Sequence, residues 1–477
     1  MSEERIYINK LVNYKNKEVV IKGWVNAHRN QGKMVFLDFR DITGIVQGII
    51  LPGSQAIELG QSLKAEYVVQ VKGRVNERPE KQKKEGILNG DIELEVLEIK
   101  VLNTVEVLPF QINDTSLVDE NLRLQYRYLD LRSERLQKNI KNRSKLLKFV
   151  RDFLYQEGFF EIETPLMSAP TPEGSRSFVV PSRVWPGNFF SLPQSPQQYK
   201  QLLMVAGFEK YFQFAKCMRD EDPRGDRQPE FTQLDLEMSF VTKEEVMALN
   251  EKLLIELIKN NYPEKKIQQI PFPCISYQAA MEQYGNDKPD IREDKNDPNL
   301  LAFLWVTDFP MFEKVDADNN IDGVAEWTYT HNPFSRPKDE FMADFMAQKN
   351  IGNILTTQYD ITLNGFEIGG GSLRNHKSEA LKKTFEIMGY DEARIESNFG
   401  HMLRALEFGA PPHGGIAWGF DRLLMILENE PNIREVIPFA KTSEGKDVMM
   451  NAPCDISEKQ KQELKITILK DDKKNKL

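Results

Sequence analysis

The sequence predicts an α+β protein with two parts, a small N-terminal β-barrel and a larger domain of mixed strands and helices. Three observations support this prediction. The chain has 477 residues, which is too long for a single hydrophobic core. Residues 1–105 contain short segments in which apolar and polar residues alternate, as in half-buried strands. A long helical pattern then covers residues 132–157 and ends at Gly158.

The N-terminal part contains three predicted strands, a helix and two further strands. The strands cover residues 19–29, 34–41, 45–51, 67–78 and 91–103, and the helix covers residues 54–63 with Ser54 as its N-cap. This order is that of an OB-fold barrel, which often binds oligonucleotides on an open face. Val35, Leu37 and Phe39 share the inner face of the second strand, so Phe36 points outward. An outward aromatic can stack on a base, although a lone exposed phenylalanine often has no such role.

Composition excludes several classes of protein. A net charge of −9 argues against a protein that coats nucleic acid nonspecifically. No apolar run approaches the roughly 20 residues of a membrane-spanning helix, and residues 1–5 lack the apolar core of a signal peptide. Cys217, Cys274 and Cys454 are too far apart for a disulfide framework or a zinc motif. We expect a cytoplasmic protein without membrane contact.

Residues 211–240 contain the most informative polar pattern. Between residues 231 and 238 the chain alternates without a break, so Gln233, Asp235 and Glu237 lie on one strand face and apolar residues lie on the other. A preceding strand ends at Arg219, and a charged loop joins the two. The pattern predicts a core face opposite a face rich in ligand-binding groups. Taken residue by residue, it is equally consistent with a solvent-exposed hairpin.

A second polar pattern lies at residues 360–367. Asn364 and Gly365 predict a two-residue hairpin turn. That turn places Thr362 opposite Glu367, with Asp360 one diagonal away on the same face. Two carboxylates at that spacing can share a hard cation such as Mg²⁺, and the alternative is an exposed hairpin with scattered acids. Residues 369–371 are glycines, and a bulge within them is required to bring Arg374 to the same face as Glu367.

These segments resemble the motifs of the class II aminoacyl-tRNA synthetases. Residues 211–240 resemble motif 2, a strand–loop–strand that holds ATP, and residues 419–422 with the apolar run after them resemble motif 3. Residues 159–165 resemble motif 1, the dimer-forming element. Motifs 1 and 3 are weak alone, but all three occur in the order of the family. The resemblance implies an OB-fold barrel and a catalytic domain built on an antiparallel sheet flanked by helices.

Longer strings resemble the bacterial branch of the aspartyl-tRNA synthetases. They lie at residues 126–132, 171–174, 192–197, 227–233, 284–290, 305–310, 364–372 and 432–437. The resemblance covers nearly the whole chain and implies its division. The expected parts are an anticodon-binding OB-fold domain at residues 1–105, a hinge at residues 106–130, a class II catalytic domain at residues 131–455, and a C-terminal helix with a disordered tail at residues 456–477.

The resemblance also assigns candidate site residues. The candidate catalytic residues are Arg219, Glu367 and Arg422. The candidate aspartate ligands are Glu173, Gln197, Lys200, Arg219, His331 and Arg374. The candidate ATP ligands are Arg219, Asp220, Glu221, Gln228, Phe231, Glu367, Gly419, Phe420, Asp421 and Arg422. The candidate Mg²⁺ ligands are Asp360 and Glu367. The candidate anticodon contacts are Arg29, Phe36, Gln47 and Glu93.

These roles imply ATP-dependent activation of L-aspartate as its adenylate and transfer to the 3′ end of tRNA-Asp, with tRNA-Asn left open as a second acceptor. A guanidinium such as that of Arg374 can bind the substrate's side-chain carboxylate through two parallel bonds, helped by Lys200. Two cations argue against an asparaginyl or lysyl enzyme on the same scaffold. A nucleic-acid-binding paralogue without charging activity is another alternative. The resemblance of motif 1 implies a homodimer.

The chain departs from the bacterial pattern at two places. Typical members insert a large domain between the segments that correspond to residues 284–290 and 305–310, whereas only residues 291–304 connect them here. Residues 292–298 predict a short surface loop, and we expect activity to survive because the candidate site residues lie on either side. Asn332 follows His331 where the family commonly has a second histidine. Its amide cannot titrate near neutral pH.

Overall fold

A computed structural model describes residues 4–31, 34–170, 173–315 and 326–469. The chain divides into two compact units, Met1–Gln111 and Ile112–Leu477. Parts of three predicted segments lie outside the described residues, namely the turn at residues 32–33, the start of the string at residues 171–172, and the tail from residue 470 onward. Each unit has its own hydrophobic core.

The first unit is a closed five-stranded barrel with the strand order β1-β2-β3-β5-β4. Its elements are β1 (Glu18–Gln31), β2 (Met34–Asp41), β3 (Gly44–Ile50), α1 (Ile57–Ser62), β4 (Val68–Glu77) and β5 (Ile92–Asn103). The predicted order is therefore confirmed. Helix α1 begins later than predicted because the Ser54 hydroxyl accepts a hydrogen bond from the Ala56 N–H, in a turn that precedes the helix. A 3₁₀ helix at Ile8–Tyr14 was not predicted.

The second unit contains the remaining strands and helices. Its strands are β6 (Phe160–Glu161), β7 (Val179–Pro181), β8 (Phe189–Ser191), β9 (Lys210–Met218), β10 (Glu230–Ser239), β11 (Lys266–Ile267), β12 (Cys274–Ser276), β13 (Leu300–Leu301), β14 (Phe303–Thr307), β15 (Phe312–Lys314), β16 (Trp327–Tyr329), β17 (Tyr359–Leu363), β18 (Phe366–Leu373) and β19 (His413–Gly419). Its helices are α2 (Glu120–Gln125), α3 (Arg127–Asp130), α4 (Glu134–Gln156), α5 (Gln197–Val205), α6 (Lys243–Asn261), α7 (Tyr277–Tyr284), α8 (Met342–Met346), α9 (Ser378–Ile387), α10 (Glu392–Glu407), α11 (Phe420–Leu427) and α12 (Glu458–Leu464).

The centre of the second unit is an eight-stranded sheet with the order β12-β14-β17-β18-β19-β10-β9-β6. Its inner pairs are antiparallel, and only the two edge strands, β12 and β6, pair in parallel with their neighbours. Helices α4, α6 and α11 cover one face, where Leu234 and Leu236 of β10 are fully buried in the core. Because side chains alternate along a strand, this packing leaves Gln233, Asp235 and Glu237 on the other face of the sheet.

The predicted hinge at residues 106–130 is too long. Residues 120–130 form α2 and α3, and the boundary between the two units lies between Gln111 and Ile112. Buried ion pairs anchor these short helices, since Arg123 and Arg127 both contact Asp130 and Arg123 also binds Glu435 at 2.6 Å. Residues 120–130 are packed through a contact with Glu435, some 300 positions away in the chain. No local sequence pattern could therefore predict that they are packed.

The short connection at residues 291–304 follows the prediction. Residues 292–298 contain neither helix nor strand, and the chain then enters β13 and β14 directly. Arg292 forms an ion pair with Asp290 at 2.7 Å, which closes the turn on itself. Strand β14 therefore joins the central sheet without an inserted domain before it.

Candidate active site

The polar face of β10 lines a cavity of about 400 Å³, a volume typical of sites for small molecules. Most of the predicted site residues line this cavity together. They are Glu173, Gln197, Lys200, Arg219, Glu221, Gln228, Phe231, His331, Asp360, Glu367, Arg374, Gly419, Asp421 and Arg422. They come from loops, from the helices α5 and α11, and from the central strands β9, β10, β17, β18 and β19 or their ends. The fold therefore brings segments that are far apart in sequence to this cavity.

Lys200, Asp235 and Arg374 line the cavity and form a buried network of charged side chains with Glu237. Lys200 lies 2.9 Å from Asp235 and 3.2 Å from Glu237. Arg374 donates to both oxygens of Glu237, at 2.9 Å from Nε and 3.2 Å from Nη2. All four side chains are at most 2% exposed. A buried charge requires a partner, and here each cation has at least one.

The network controls the protonation of its two carboxylates. Burial raises the pKa of Asp235 to about 6 against the opposing effect of Lys200. Burial also acts to raise the pKa of Glu237, but Arg374 and Lys200 together outweigh it and hold that pKa at about 2. Glu237 therefore stays ionised at every physiological pH, whereas Asp235 titrates closer to neutrality.

This network corrects one step of the sequence argument. The prediction took Lys200 and Arg374 as two positive charges available to an anionic ligand, but Asp235 and Glu237 already compensate both. Arg374 also donates to Ser372 and to the Gly415 carbonyl, so four of its N–H···O bonds are made within the described chain. A guanidinium has five N–H groups. What remains for a ligand is directed hydrogen bonding rather than net charge.

The two predicted ATP motifs contribute Arg219, Phe231 and Arg422 to the wall of the cavity. The Arg219 guanidinium lies over the Phe231 ring, 5.2 Å from its centre, in a cation–π contact. Arg422 donates from Nη1 to the Glu367 carbonyl and from Nη2 to Asp226 at 3.0 Å. These contacts hold both arginines beside the strand–loop–strand of β9 and β10, where they can meet an anion.

Six buried polar atoms in the cavity wall have no hydrogen-bond partner within the described chain. They are Gln197 Nε2, Arg219 Nε, Gln228 Nε2, Asp235 Oδ1, Thr330 Oγ1 and Arg422 Nε. Leaving a buried donor or acceptor unsatisfied costs about 1–3 kcal/mol. Six such atoms around one cavity are the pattern expected of a site that binds a polar ligand or ordered water.

Two of the predicted ATP residues do not line the cavity, and a third lines it with a carboxylate that is already bound within the chain. Phe420 is fully buried in the core, edge-on to Phe214, because the first residue of α11 faces the sheet. Asp220 is exposed and is not among the residues that line the cavity. Asp421 does line it, but its carboxylate already binds Arg143 and the Thr232 N–H. Its role is to join α11 to β10.

The hairpin of β17 and β18 has the predicted turn and register. Leu363 pairs with Phe366, and Thr362 pairs with Glu367. The predicted bulge exists, but it lies at Ile368 rather than within the glycines, since Ile361 pairs with Gly369. After the bulge, each side chain points to the face opposite to the one that strict alternation from Glu367 would give. Glu367 and Arg374 therefore line the same cavity, as predicted.

Asp360 and Glu367 form the acidic side of the cavity. Burial raises the pKa of Asp360 well above its usual value, and repulsion from Glu367 raises it further. Within the described ranges no lysine or arginine forms an ion pair with either carboxylate, and His331 Nδ1 lies 3.6 Å from Asp360 Oδ2. Burial lowers the pKa of His331, which favours its neutral form. An uncompensated pair of this kind fits a divalent cation with oxygen ligands.

Three polar residues beside the cavity were not predicted. Ser195 donates to Glu173 at 2.5 Å, Asp226 binds Arg422, and Gln358 donates to Asp360 at 2.6 Å. Gln358 could have been found by extending the alternation of β17 back from Asp360 by two residues. Asp226 lies in an irregular loop, where no periodicity indicates which way a side chain points.

In the first unit, the predicted anticodon contacts lie on the outer surface of the barrel. Val35, Leu37 and Phe39 are fully buried, whereas Phe36 is half-buried, as the alternation predicts. Arg29 pairs with Phe36 across β1 and β2, which places both side chains on one face. Gln47 lies on the adjacent strand β3 and Glu93 on β5, each only partly buried.

Comparison with known proteins identifies relatives for both units. The family described as "tRNA synthetases class II (D, K and N)" matches residues 119–443, and that described as "OB-fold nucleic acid binding domain" matches residues 19–102. The "Aspartate--tRNA(Asp/Asn) ligase" of Thermoanaerobacter sp. (strain X514) is 37% identical over 578 residues, covering 95% of this chain and 96% of the relative. The "Aspartate--tRNA ligase" of Staphylococcus aureus (strain NCTC 8325 / PS 47) is 36% identical over 581 residues, covering 95% and 97%.

Both alignments are longer than this chain of 477 residues, so the two relatives contain segments that it lacks. Among solved structures, asparaginyl-tRNA synthetase from Pyrococcus horikoshii in complex with asparaginyl-adenylate has a TM-score of 0.72 at 22% identity, covering 92% of this chain and 98% of that chain. Aspartyl-tRNA synthetase from Entamoeba histolytica has a TM-score of 0.70 at 24% identity, covering 92% of both chains. At these identities the likeness concerns the fold. Every helix within the described ranges is too short or too polar to cross a lipid bilayer.

Proposed function

Since the chain belongs to the class II tRNA synthetases of the D, K and N group, we propose that it is an aspartate–tRNA ligase that uses ATP to activate L-aspartate and transfers it to tRNA-Asp. The observation that carries this proposal is the convergence of Lys200 and Arg374 with Arg219 and Arg422 on one cavity. The names of the two bacterial relatives support the choice of aspartate.

The substrate's side-chain carboxylate accepts hydrogen bonds from those N–H groups of Lys200 and Arg374 that do not already bind Asp235 or Glu237. Asparagine in the same place would turn an NH₂ group toward N–H donors, and the loss of a buried hydrogen bond makes discrimination strong. Glu173 and Gln197 bind the α-amino end, and His331 closes the site beside Asp360. Selection therefore depends on the direction of a few buried donors.

ATP occupies the middle of the cavity, with adenine on Phe231 and Gln228, and with the phosphates between Arg219 and Arg422. Glu221 and the Gly419 backbone lie along the same wall. Asp360 and Glu367 would hold Mg²⁺, which supplies positive charge to the phosphates when bound. The buried N–H groups of Arg219, Gln228 and Arg422 that lack partners are available to this nucleotide.

In the first step the α-carboxylate of aspartate attacks the α-phosphorus of ATP, a P–O bond forms, and the bond to pyrophosphate breaks. Arg219 and Arg422 neutralise charge that develops on the phosphate, so positioning and electrostatics supply the catalysis. In the second step a hydroxyl of the terminal adenosine of tRNA attacks the activated carbonyl, and AMP leaves. No side chain forms a covalent intermediate.

The experiment that tests this proposal is amino-acid-dependent exchange between ATP and pyrophosphate with the purified protein. We expect exchange with aspartate and none above background with asparagine or lysine. Exchange with lysine or asparagine alone would contradict the proposal. Charging of purified tRNA-Asp and tRNA-Asn then defines the acceptor, because the two bacterial relatives carry the names of both specificities at nearly equal identity.

The outer face of the barrel formed by Arg29, Phe36, Gln47 and Glu93 binds the anticodon. Stacking of one base on an aromatic side chain contributes about 1–3 kcal/mol. In Phe36→Ala the KM for tRNA should therefore rise by about 10- to 100-fold, while exchange with aspartate stays unchanged. Ile87→Ala, which removes another exposed apolar side chain of the same unit, is the control. An unchanged KM in Phe36→Ala would remove this face from the tRNA contact.

The enzyme works as a homodimer in the cytoplasm. Phe160 on the edge strand β6 is 57% exposed and contacts Phe208, 41% exposed, edge to face at 6.1 Å. Exposed aromatics beside an edge strand indicate a surface that another chain covers, and the three free cysteines fit a reducing compartment. Sedimentation of Phe160→Asp should show a smaller species than the wild type. Equal sedimentation as monomers would refute the dimer.

A further inference from the structure

Gln358 directly precedes β17 and is 3% exposed in the wall of the cavity. Its Nε2 donates to Asp360 Oδ1 at 2.6 Å. Its Oε1 accepts from the Ser335 hydroxyl at 3.2 Å and from Asn332 Nδ2 at 3.5 Å. Both ends of the amide are therefore engaged, and one of them is bound to a candidate Mg²⁺ ligand.

The direction of the Gln358 amide follows from its neighbours. The N–H of Phe334 donates to Asn332 Oδ1 at 3.0 Å, which turns Asn332 Nδ2 toward Gln358. An NH₂ group can only donate, so the atom of Gln358 that faces it must be the oxygen. The Gln358 NH₂ group must then face Asp360. The Asn332 amide, which follows His331 in the chain, thus determines that Gln358 presents its NH₂ group to Asp360 and not its oxygen.

The Gln358 amide is also linked to Arg374, through its oxygen Oε1. Arg374 Nη1 donates to the Ser372 hydroxyl at 2.8 Å, and the Ser372 and Ser335 hydroxyl oxygens lie 2.9 Å apart. A hydroxyl that accepts one hydrogen bond can donate another. The Ser372 hydroxyl can therefore donate to the Ser335 oxygen, and the Ser335 hydroxyl can donate to Gln358 Oε1. This series of bonds runs from Arg374 to Asp360 without a group that titrates near neutral pH.

A glycine makes room for the contact between Gln358 and Asp360. A Cβ at Gly370 would lie 2.6 Å from Asp360 Oδ1 and 3.4 Å from Gln358 Nε2. The first distance is shorter than real contacts allow, so any side chain at this position would displace the carboxylate. The conformation of Asp360 thus depends on both a donor and the absence of a neighbouring side chain.

We propose that Gln358 is a positioning residue that holds the Asp360 carboxylate in one orientation, with Oδ1 on the amide and Oδ2 left for Mg²⁺, and couples that orientation to Arg374. This inference rests on the proposed function for the identity of the metal-bound nucleotide. Partners that orient metal-binding carboxylates typically affect metal affinity by about 10- to 100-fold. Gln358 acts through Asp360 and needs no contact with substrate.

The test compares Gln358→Met with the wild type, using Mn²⁺ as the probe. Free Mn²⁺ is measured by electron paramagnetic resonance in the presence of a non-hydrolysable ATP analogue. We expect Gln358→Met to bind Mn²⁺ about tenfold more weakly, and to need about tenfold more Mg²⁺ for half-maximal exchange. The KM for aspartate at saturating Mg²⁺ should change much less, since Arg374 keeps its bonds to Glu237.

The control is Gln268→Met, because Gln268 also donates from Nε2, to the Ile291 carbonyl, and accepts at Oε1, from the Glu293 N–H, but lies outside the cavity. It should bind Mn²⁺ like the wild type. Ser335→Ala provides a milder break in the same series of bonds, and it tests the proposal if Gln358→Met does not fold. Its Mn²⁺ affinity should fall measurably below that of the wild type, and wild-type affinity in a folded Ser335→Ala protein would overturn the inference.

Wild-type Mn²⁺ affinity in a folded Gln358→Met protein would overturn the inference. An equal loss of Mn²⁺ affinity and of apparent aspartate affinity, together with a lower melting temperature, would also overturn it, because the effect would then be structural. Failure of the proposed function is distinguishable, since it shows as absence of aspartate-dependent exchange in the wild type. The Mn²⁺ measurement does not depend on that exchange.

Discussion

At the scale of single residues, the candidate aspartate site contains a neutral network of charges rather than a positive pocket. Lys200, Arg374, Asp235 and Glu237 compensate one another in a region where each is nearly inaccessible to solvent. An unpaired buried charge would cost several kcal/mol. The paired network permits two cations to be buried there, and it orients the few donors that are left for a ligand.

Replacing Arg374 with lysine keeps the charge and removes the planar fork. Arg374→Lys cannot reproduce both bonds to Glu237 together with the bond to Ser372. A lost hydrogen bond to a charged group costs about 1.5–3 kcal/mol, so the KM for aspartate should rise by about 10- to 100-fold while the KM for ATP stays the same. Exchange kinetics measure both values. Arg292→Lys, in an ion pair outside the cavity, is the control, and an unchanged KM for aspartate would contradict the role of Arg374.

Aspartate binding should weaken as pH rises through the range in which Asp235 titrates. Its pKa is about 6, and it faces Lys200, Glu237 and Arg374, of which Glu237 is already ionised. A bound carboxylate adds negative charge, which raises the pKa of Asp235 further, so binding takes up a proton. The Kd for aspartate should therefore be nearly constant below about pH 6 and should increase as pH rises above that value, up to the higher pKa that Asp235 has in the complex. Calorimetric titration at several pH values measures this, and Asp235→Asn should abolish the trend.

At the scale of elements, the β17–β18 hairpin determines which groups meet at the acidic side of the cavity. Its turn holds Asn364 at φ 50° and Gly365 at φ 87°, as a type I′ turn requires. The bulge at Ile368 then allows Glu367 and Arg374 to line the same cavity despite their odd spacing. Turn and bulge together place one acidic and one basic group on the same side of the sheet.

Substitution of the second turn residue should destabilise the second unit. In Gly365→Ala the new residue must adopt a left-handed conformation, which costs about 1–2 kcal/mol, and its Cβ would lie 3.2 Å from Asp290 Cβ. Urea denaturation should show a loss of that size in the free energy of unfolding. Gly225→Ala is the matched control, because Gly225 has no positive φ and its Cβ would meet nothing closer than 3.9 Å. Equal stabilities of the two variants would refute the strain.

At the scale of the whole molecule, the candidate catalytic site and the candidate anticodon contacts lie in two different units with separate cores. The cavity is lined entirely by residues of Ile112–Leu477, and the candidate anticodon contacts lie entirely within Met1–Gln111. Activation of aspartate and recognition of tRNA are therefore chemically separable. The short connection at residues 291–304 contains β13 and the first two residues of β14, and it contributes no residue to the lining of the cavity.

A fragment of residues 112–477 should activate aspartate and charge tRNA poorly. Exchange with aspartate should stay close to that of the full chain, while kcat/KM for tRNA should fall by about 100-fold or more, since the base-stacking face is lost. Circular dichroism checks that the fragment is folded. Unimpaired charging by a folded fragment would show that the barrel does not recognise tRNA, and loss of exchange would show that the site depends on it.

The sequence by itself determined what depends on neighbours along the chain. Alternation in β2 and β10 predicted which side chains face the core, and Asn364 with Gly365 predicted the turn and the pairing of Thr362 with Glu367. These predictions succeeded because strand periodicity and turn conformation are local properties of the backbone. The motif resemblance then placed most of the candidate residues around one cavity, although it did not distinguish ligand contacts from structural ones.

Only the tertiary structure decided which groups compensate one another. Phe420 is a core residue, Asp421 is bound by Arg143, and Lys200 and Arg374 are neutralised by Asp235 and Glu237. The packing of α2 and α3 likewise depends on Glu435, more than 300 positions away in the chain. Such facts lie outside any sequence pattern because electrostatic energies depend on distance and burial in space, and neither follows from separation along the chain.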